Sequence, residues 1–323
     1  MAGASVHVFQ WAQVPGPVGG VTRSVHDLTA ALVDAGATMH LVDTGSAPRA
    51  AREVPSLRAR RALHLFHITR LWRAIVLAPV FAVLPGRTVV VLHSGSTRRQ
   101  VESMPAWRSR LLRTSLTAYD EIWAVNDEIR EVLPERLRDR VVVVSPFVPA
   151  RVTSAEPVER DPDLVTVATN SGLAHYNASL AVEAVRLARA ERPGLRLWVL
   201  AYDQDGPHMA ALRGEVEGLG WVEVSMNLSA AEVSAALARS AVFLRPTTWD
   251  GDSVIVREAL AMGARVVASD LVARPAGVEL AALDARSLAD ALLHGGRPSD
   301  GAGLARQSVV DAALAALGRV RGA

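Results

Sequence analysis

Short apolar runs recur along the chain, and between most of them the apolar positions change to a helical period. Val6–Gln10 alternates as a strand does. Trp11–Gly20 is a Pro- and Gly-rich loop; Val21, Val25, Leu28 and Leu32 then share one helix face, with Gly36 as the stop. Thr38–Val42, Thr88–Leu92, Glu121–Val125 and Val141–Val144 read as further strands, and Asn126 is placed to cap a helix. Ser145–Pro162 is polar and Pro-containing and reads as a linker. Beyond it, strands are predicted at Leu164–Ala168, Leu195–Ala201, Val222–Ser225, Ala241–Leu244 and Arg265–Ala268. Ser229-Ala-Ala-Glu232 forms a capping box, and Leu304–Val320 carries a last helical pattern.

Strands that alternate with helices pair in parallel through right-handed crossovers. The predicted class is therefore α/β, with two doubly wound Rossmann-like domains facing a cleft. A length of 323 residues fits two domains, 1–150 and 151–323, with the final helix free to return to the first.

Composition narrows the setting. There is no cysteine, which fits a reducing cytoplasm and excludes disulfides and Cys-based metal sites. Met1–Ser5 lacks the start of a signal peptide, and the apolar run Ala74–Leu84 is too short to span a bilayer and contains Pro79. Every basic side chain apart from histidine is arginine. Thr44–Arg113 holds 13 of them against two acids, Glu53 and Glu102. That segment suits an anionic membrane surface, an anionic substrate or a solvated basic face. No nucleic-acid motif accompanies it.

The sharpest chemistry lies in Arg245–Asp270, which ends one strand, turns at Gly251, runs through a short helix and enters the next strand. Ligands of open α/β sheets bind beyond the carboxyl ends of strands. Asp252 or Ser253 can cap the helix, leaving the amides of Ser253, Val254 and Ile255 to face a diphosphate. Asp250 can reach sugar hydroxyls, and Glu258, further along the helix, can accept from a diol such as a ribose. Ala259, Ala261 and Gly263 let the helix pack closely.

Asp250 and Glu258, separated by seven residues and followed by small residues, Gly263 and an apolar strand, resemble the signature of the family-4 retaining glycosyltransferases of GT-B fold. Asp250 stands where that family more often has glutamate. The resemblance implies that Asp250 contacts the donor sugar near the reacting carbon and that Glu258 holds the ribose. It implies that Gly19 and Gly20 form a glycine loop near the donor phosphates, and that His93, followed by Ser94-Gly95, lies near the reaction centre. His7 and His26 read as structural. Arg274–Val278 is similar to a Gly-containing family segment without its usual acid; a binding role and a plain loop stay open.

One departure matters. The family presents an arginine and a lysine after the first strand of the second domain, whereas Thr169–Asn177 here contains neither. A leaving diphosphate needs cationic partners. His175 can supply one if protonated, as can Arg23, Arg245 or Arg257 from elsewhere; Asn177 reads as a helix cap. The expected activity is retaining transfer of a sugar from a nucleotide-diphosphate sugar to a hydroxyl acceptor, whether carbohydrate, lipid-linked or a small molecule. That chemistry belongs to polysaccharide, glycolipid or other glycoconjugate synthesis. The donor is a co-substrate, and neither a cofactor nor a metal is expected. The expected location is cytoplasmic, with peripheral contact to the inner membrane face. The alternative is a non-catalytic nucleotide-sugar-binding scaffold that has lost the Arg/Lys pair.

Overall fold

The central apolar runs become strands buried on both faces, as parallel strands are when helices cover the sheet on each side. The computed structural model describes residues 6–13, 19–46, 62–149, 158–170, 173–202, 207–303 and 307–322. Two compact units divide them. One holds residues 20–148 with the leading strand and the C-terminal residues from Gly303; the other holds residues 149–302.

In the first unit the strands are β1 (His7–Ala12), β2 (Thr38–Asp43), β3 (Ala62–Ile68), β4 (Arg87–Leu92), β5 (Glu121–Ala124) and β6 (Val141–Val143). They form one sheet in the order β2-β1-β3-β4-β5-β6, every pair parallel. Its helices are α1 (Gly20–Asp34), α2 (Trp72–Phe81), α3 (Thr97–Glu102), α4 (Ala106–Ser115), α5 (Asp127–Val132) and α6 (Glu135–Arg138). Asn126 caps α5 as predicted, its Oδ1 accepting from the Ile129 amide at 3.0 Å.

The second unit has β7 (Asp161–Asn170), α7 (Ala178–Ala188), β8 (Arg196–Tyr202), α8 (Pro207–Val216), β9 (Val222–Met226), α9 (Ala230–Arg239), β10 (Ser240–Arg245) and α10 (Val254–Ala261). It continues through β11 (Arg265–Ser269), β12 (Val278–Ala281), α11 (Ala285–His294) and β13 (Arg297–Pro298). The sheet order is β13-β12-β11-β10-β7-β8-β9, parallel except for β12–β13. Numbered within the unit, the parallel strands run 3-2-1-4-5-6, the doubly wound order whose switch point falls between β7 and β10. The capping box at Ser229 and Glu232 forms in full.

The last helix, α12 (Val309–Gly322), belongs to the first unit. Val309, Ala312, Ala313, Ala316, Leu317 and Val320 form a buried stripe in the same core cluster as Leu28, Leu32 and Leu65. It begins later than the predicted Leu304, because Ser308 and Asp311 exchange amide–side-chain hydrogen bonds of 3.3 and 3.1 Å at its start. Residues 304–306 lie outside the described set, as do 150–157 of the predicted linker.

Three strands depart from the sequence reading, β13 being only the two-residue antiparallel partner of β12. β3 lies inside the first sheet with all seven residues buried, although its histidines interrupt the apolar run. β12 follows directly on the segment read as a loop or binding element. Gly86 shows why β3 and β4 can pair: it has φ +103°, and a Cβ there would collide with the Ala62 carbonyl oxygen. Among the described residues no helix is long and apolar enough to cross a membrane.

Candidate functional site

The switch point of the second sheet places the end of β7 beside the end of β10, and the loop after each strand carries polar chemistry. From β10, Arg245 is buried, and its Nε donates to Asp250 Oδ2 at 2.9 Å. Arg274, beyond β11, donates to the same oxygen from Nη1 at 3.0 Å and to Thr247 Oγ1 from Nη2 at 2.6 Å. Thr247 also receives the Ser269 hydroxyl on its carbonyl at 2.6 Å. The Asp250 loop is thus fastened to β10, to β11 and to the segment that follows β11.

Two guanidiniums therefore share one carboxylate. Burial alone would raise the Asp250 pKa, but Arg245 and Arg274 outweigh it and hold the group at about 2. Burial works against the charge of Arg245, and Asp250 more than offsets this, so its pKa is raised. For Arg274, burial prevails over Asp250 and the pKa is lowered. Of the Asp250 side chain, 15% stays in solvent. Asp250 is accordingly not a lone acid facing the loop but the shared anion of a buried cluster.

The helix after the turn starts where predicted. Ser253 occupies the N-cap position of α10, yet its side chain makes no capping bond. Asp252, next to it, pairs with Arg257, its Oδ1 accepting from Nε at 2.6 Å. The first-turn amides, beginning at Val254 and Ile255, have no partner within the helix. Glu258 is buried in the second turn beside Val254 and Ala259. Gly251 donates its amide to Asp250 Oδ1 at 3.1 Å, and Gly263 ends the helix at φ +78°, a conformation suited to glycine.

Across the crevice, the segment without arginine or lysine supplies aromatic groups. His175 stacks on Trp249 with ring centroids 3.5 Å apart, and its carbonyl accepts the Thr248 amide at 3.0 Å. Tyr176 lies against the Arg245 guanidinium, 4.7 Å from ring centroid to Cζ, and its hydroxyl meets that of Tyr202 at 2.5 Å. Asn177 stands at the N-cap position of α7 with φ 52° but does not cap. Its Nδ2 instead donates to the Pro246 carbonyl at 2.8 Å and to Thr248 Oγ1 at 3.0 Å, tying the two loops together. A shallow cavity opens beside this junction, lined in part by Thr169, Asn170, Ala174, Asn177 and His208.

The structure thus gathers Arg245, Asp250 and Gly251 with His175 at one switch point, while Arg257 is directed to Asp252. Trp249 and Tyr176, which the sequence did not single out, complete that group with Arg274, whose segment the sequence left open between a binding role and a plain loop. The bond of Arg274 to Asp250 was hidden because its partner lies 24 positions earlier. Only the adjacency of β10 and β11 joins them.

The remaining candidates lie in the first unit, except Gly19, which is grouped with the second. Gly20 opens α1, and Gly19 precedes it, next to residues 14–18 outside the described set. Arg23 pairs with Asp27 one turn along the helix at 2.8 Å. His7, read as structural, meets His40 at 2.9 Å. His93 follows β4 and is buried against His67 of β3, Nε2 to Nδ1 2.9 Å. One ring must donate and the other accept, so at most one of them can carry a charge. Burial lowers the His93 pKa to about 4, and burial followed by the His93 charge lowers His67 well below its usual range. The His67 signal in the sequence was its spacing from His64 inside a strand that the arginine-rich surroundings obscured. Among the described residues, no group of three or more His, Asp or Glu side chains could hold a metal ion.

Residues 161–294, which carry the switch point and both acids, match the sequence model of glycosyl transferases group 1. This second unit is a glycosyl transferases group 1 domain. No curated protein matches the sequence. Solved structures match its fold. HepE of Anabaena, crystallised with UDP-glucose, has a TM-score of 0.66 at 12% identity over 89% of each chain. OtsA has a TM-score of 0.64 at 13% identity, covering 89% of this chain and 90% of its own. TarM has a TM-score of 0.58 at 11% identity over 84% of this chain. The chain spans about half the length of TarM, 53%. The fold is GT-B, two Rossmann-like parallel-sheet domains, with the group 1 domain second.

Proposed function

We propose that the protein transfers a sugar from a nucleotide-diphosphate sugar to a hydroxyl acceptor with retention of anomeric configuration. The observation that carries this reading is the placement of Asp250, Glu258 and the start of α10 at the switch point of a group 1 domain. The diphosphate lies against the first-turn amides of α10, where the helix dipole favours an anion. The Arg245–Arg274 couple supports it from behind. Arg257 is balanced by Asp252, whereas Arg245 and Arg274 share the single charge of Asp250, so the loop keeps a positive bias. This couple takes the place of the cations absent from 169–177. Glu258 accepts from the ribose. Asp250 sets the position of the two guanidiniums and offers its solvent-facing edge to the donor sugar. His93, neutral at physiological pH, borders the acceptor in the first unit.

The chemistry required is stabilisation of a leaving diphosphate and alignment of the acceptor hydroxyl. The nucleotide sugar is a co-substrate, and no cofactor enters the scheme. A second reading, a nucleotide-sugar binder without turnover, is favoured by one observation. The loop arginines are engaged by Asp250 and Asp252 rather than directed outward. Incubation with a panel of nucleotide sugars, starting with UDP-glucose, separates the two. The transferase reading expects slow donor hydrolysis, with the first-formed sugar keeping its anomeric configuration by NMR. Binding without hydrolysis or transfer establishes the scaffold; an inverted product rejects retention.

A further inference from the structure

Eleven large apolar side chains are exposed among the described residues; five of them fall on two neighbouring helices of the first unit and a sixth lies just past one of these. Isolated exposed apolar groups are ordinary, but a cluster marks an interaction surface. On α2, Ala74, Ala78 and Phe81 face the core. Trp72, Val76 and Val80, spaced at i, i+4 and i+8, stand on the opposite side at 51%, 59% and 40% exposure. Val83 continues the stripe just past the helix. α4 packs beside α2 and exposes Trp107 and Leu111, again at i, i+4.

Charge decides what this surface fits. From Thr69 to Ala118 the only acid is Glu102, while Arg70, Arg73, Arg108, Arg110 and Arg113 each stand within two positions of an exposed apolar residue in the sequence. Arg73 sits with its Cζ 5.9 Å from the Trp72 ring centroid, and Arg108 with its Cζ 5.0 Å from that of Trp107. Each tryptophan therefore carries a guanidinium at its side. A second copy of the same face would bring like charges together. An anionic bilayer satisfies both parts. Tryptophan and aliphatic side chains enter the boundary between headgroups and acyl chains, and arginines extend to the lipid phosphates. α2 has ten residues and contains Pro79, so the contact lies in the interface plane and does not span.

We infer that the outer faces of α2 and α4, with Trp72 and Trp107 as apolar anchors, dock the protein on an anionic lipid surface. This surface is independent of the donor reading and would present the enzyme to a membrane-held acceptor. Its test is co-sedimentation of the full chain with phosphatidylcholine vesicles and with vesicles containing phosphatidylglycerol, at low and high salt. Binding is expected only to the anionic vesicles. Replacing Arg108 and Arg110 by Gln weakens it by about fivefold for each charge. The pair Trp72→Ala and Trp107→Ala weakens it at least as much, with an unchanged circular dichroism spectrum because both rings are exposed. Absence of binding to anionic vesicles, or binding that survives loss of both tryptophans, overturns the inference. So does a dimer, seen by sedimentation, that the tryptophan replacements dissolve.

Discussion

The two sheets share one winding principle but hold their polar groups in opposite ways. The first buries neutral ones. His64 lies in β3 stacked on Phe9, with ring centroids 4.8 Å apart. Its Nε2 donates to the Pro85 carbonyl at 3.1 Å, which leaves Nδ1 to accept from the Trp11 indole at 3.4 Å. His67, in the same strand, pairs with His93 just past β4. The second sheet buries charge, in Arg245, Asp250 and Arg274 at the ends of its strands. A neutral buried histidine is a liability in acid, whereas a carboxylate held by two guanidiniums resists it. The units should therefore differ in what destabilises them.

The largest effect is expected from Arg274→Ala. It leaves Asp250 with one cation and Thr247 Oγ1 without its donor, in a buried setting. Removing one member of a buried ion cluster costs about 3–5 kcal/mol. Urea unfolding followed by amide exchange should place that loss in the second unit. An equal loss in both units would mean that the cluster does not act locally.

Acid comes next and acts on the other unit. His64 and His93 have pKa values of about 4, lowered from 6.5 chiefly by burial. Between those values the unfolded chain binds protons that the folded one excludes, so stability falls as pH drops from about 6.5 to 4. Each group accounts for up to ~3 kcal/mol. Asp250 behaves differently. Its depressed pKa contributes stability that is present above its ordinary 3.8 and is lost as pH falls through about 2. Amide exchange at pH 4.5 should thus show β3 and β4 losing protection while β10 and β11 keep it. Replacing His64 by Phe should shift that midpoint to lower pH.

The smallest effect compares two caps. Asn126→Ala strands the buried Ile129 amide and should cost ~1–2 kcal/mol; Ser229→Ala, at an exposed capping box, should cost ~0.5–1 kcal/mol. Thermal unfolding of each variant checks the order.

Much of the second unit was legible because its central strands are apolar runs and β9 alternates, each bounded by turn residues. β8, β9, β10 and β11 lie within one or two residues of their predicted ends. β3 was not, because two histidines break its hydrophobic run and their burial depends on partners in β1 and β4. The start of α10 was legible from Gly251 and Ser253, but the cap was not. Asp252 and Arg257 find each other only once the helix turns. In the same way, Asn177 reads as a cap by residue type and serves as a tether by position. Asp250 and Glu258 could be named from their spacing, and Arg245 as a candidate cation, but the bonds of Arg245 and Arg274 to Asp250 could not. Arg274 joins the site through sheet order, which no local pattern encodes.

The central claim is that the group 1 domain binds a nucleotide sugar through Glu258 and the start of α10. Titration calorimetry of UDP-glucose and related nucleotide sugars against the wild type and Glu258→Ala tests it most directly. The account predicts saturable binding of at least one donor and a loss of about tenfold or more in affinity for the variant, with its fold intact by circular dichroism. No binding by any nucleotide sugar, or equal affinity in wild type and variant, would contradict it.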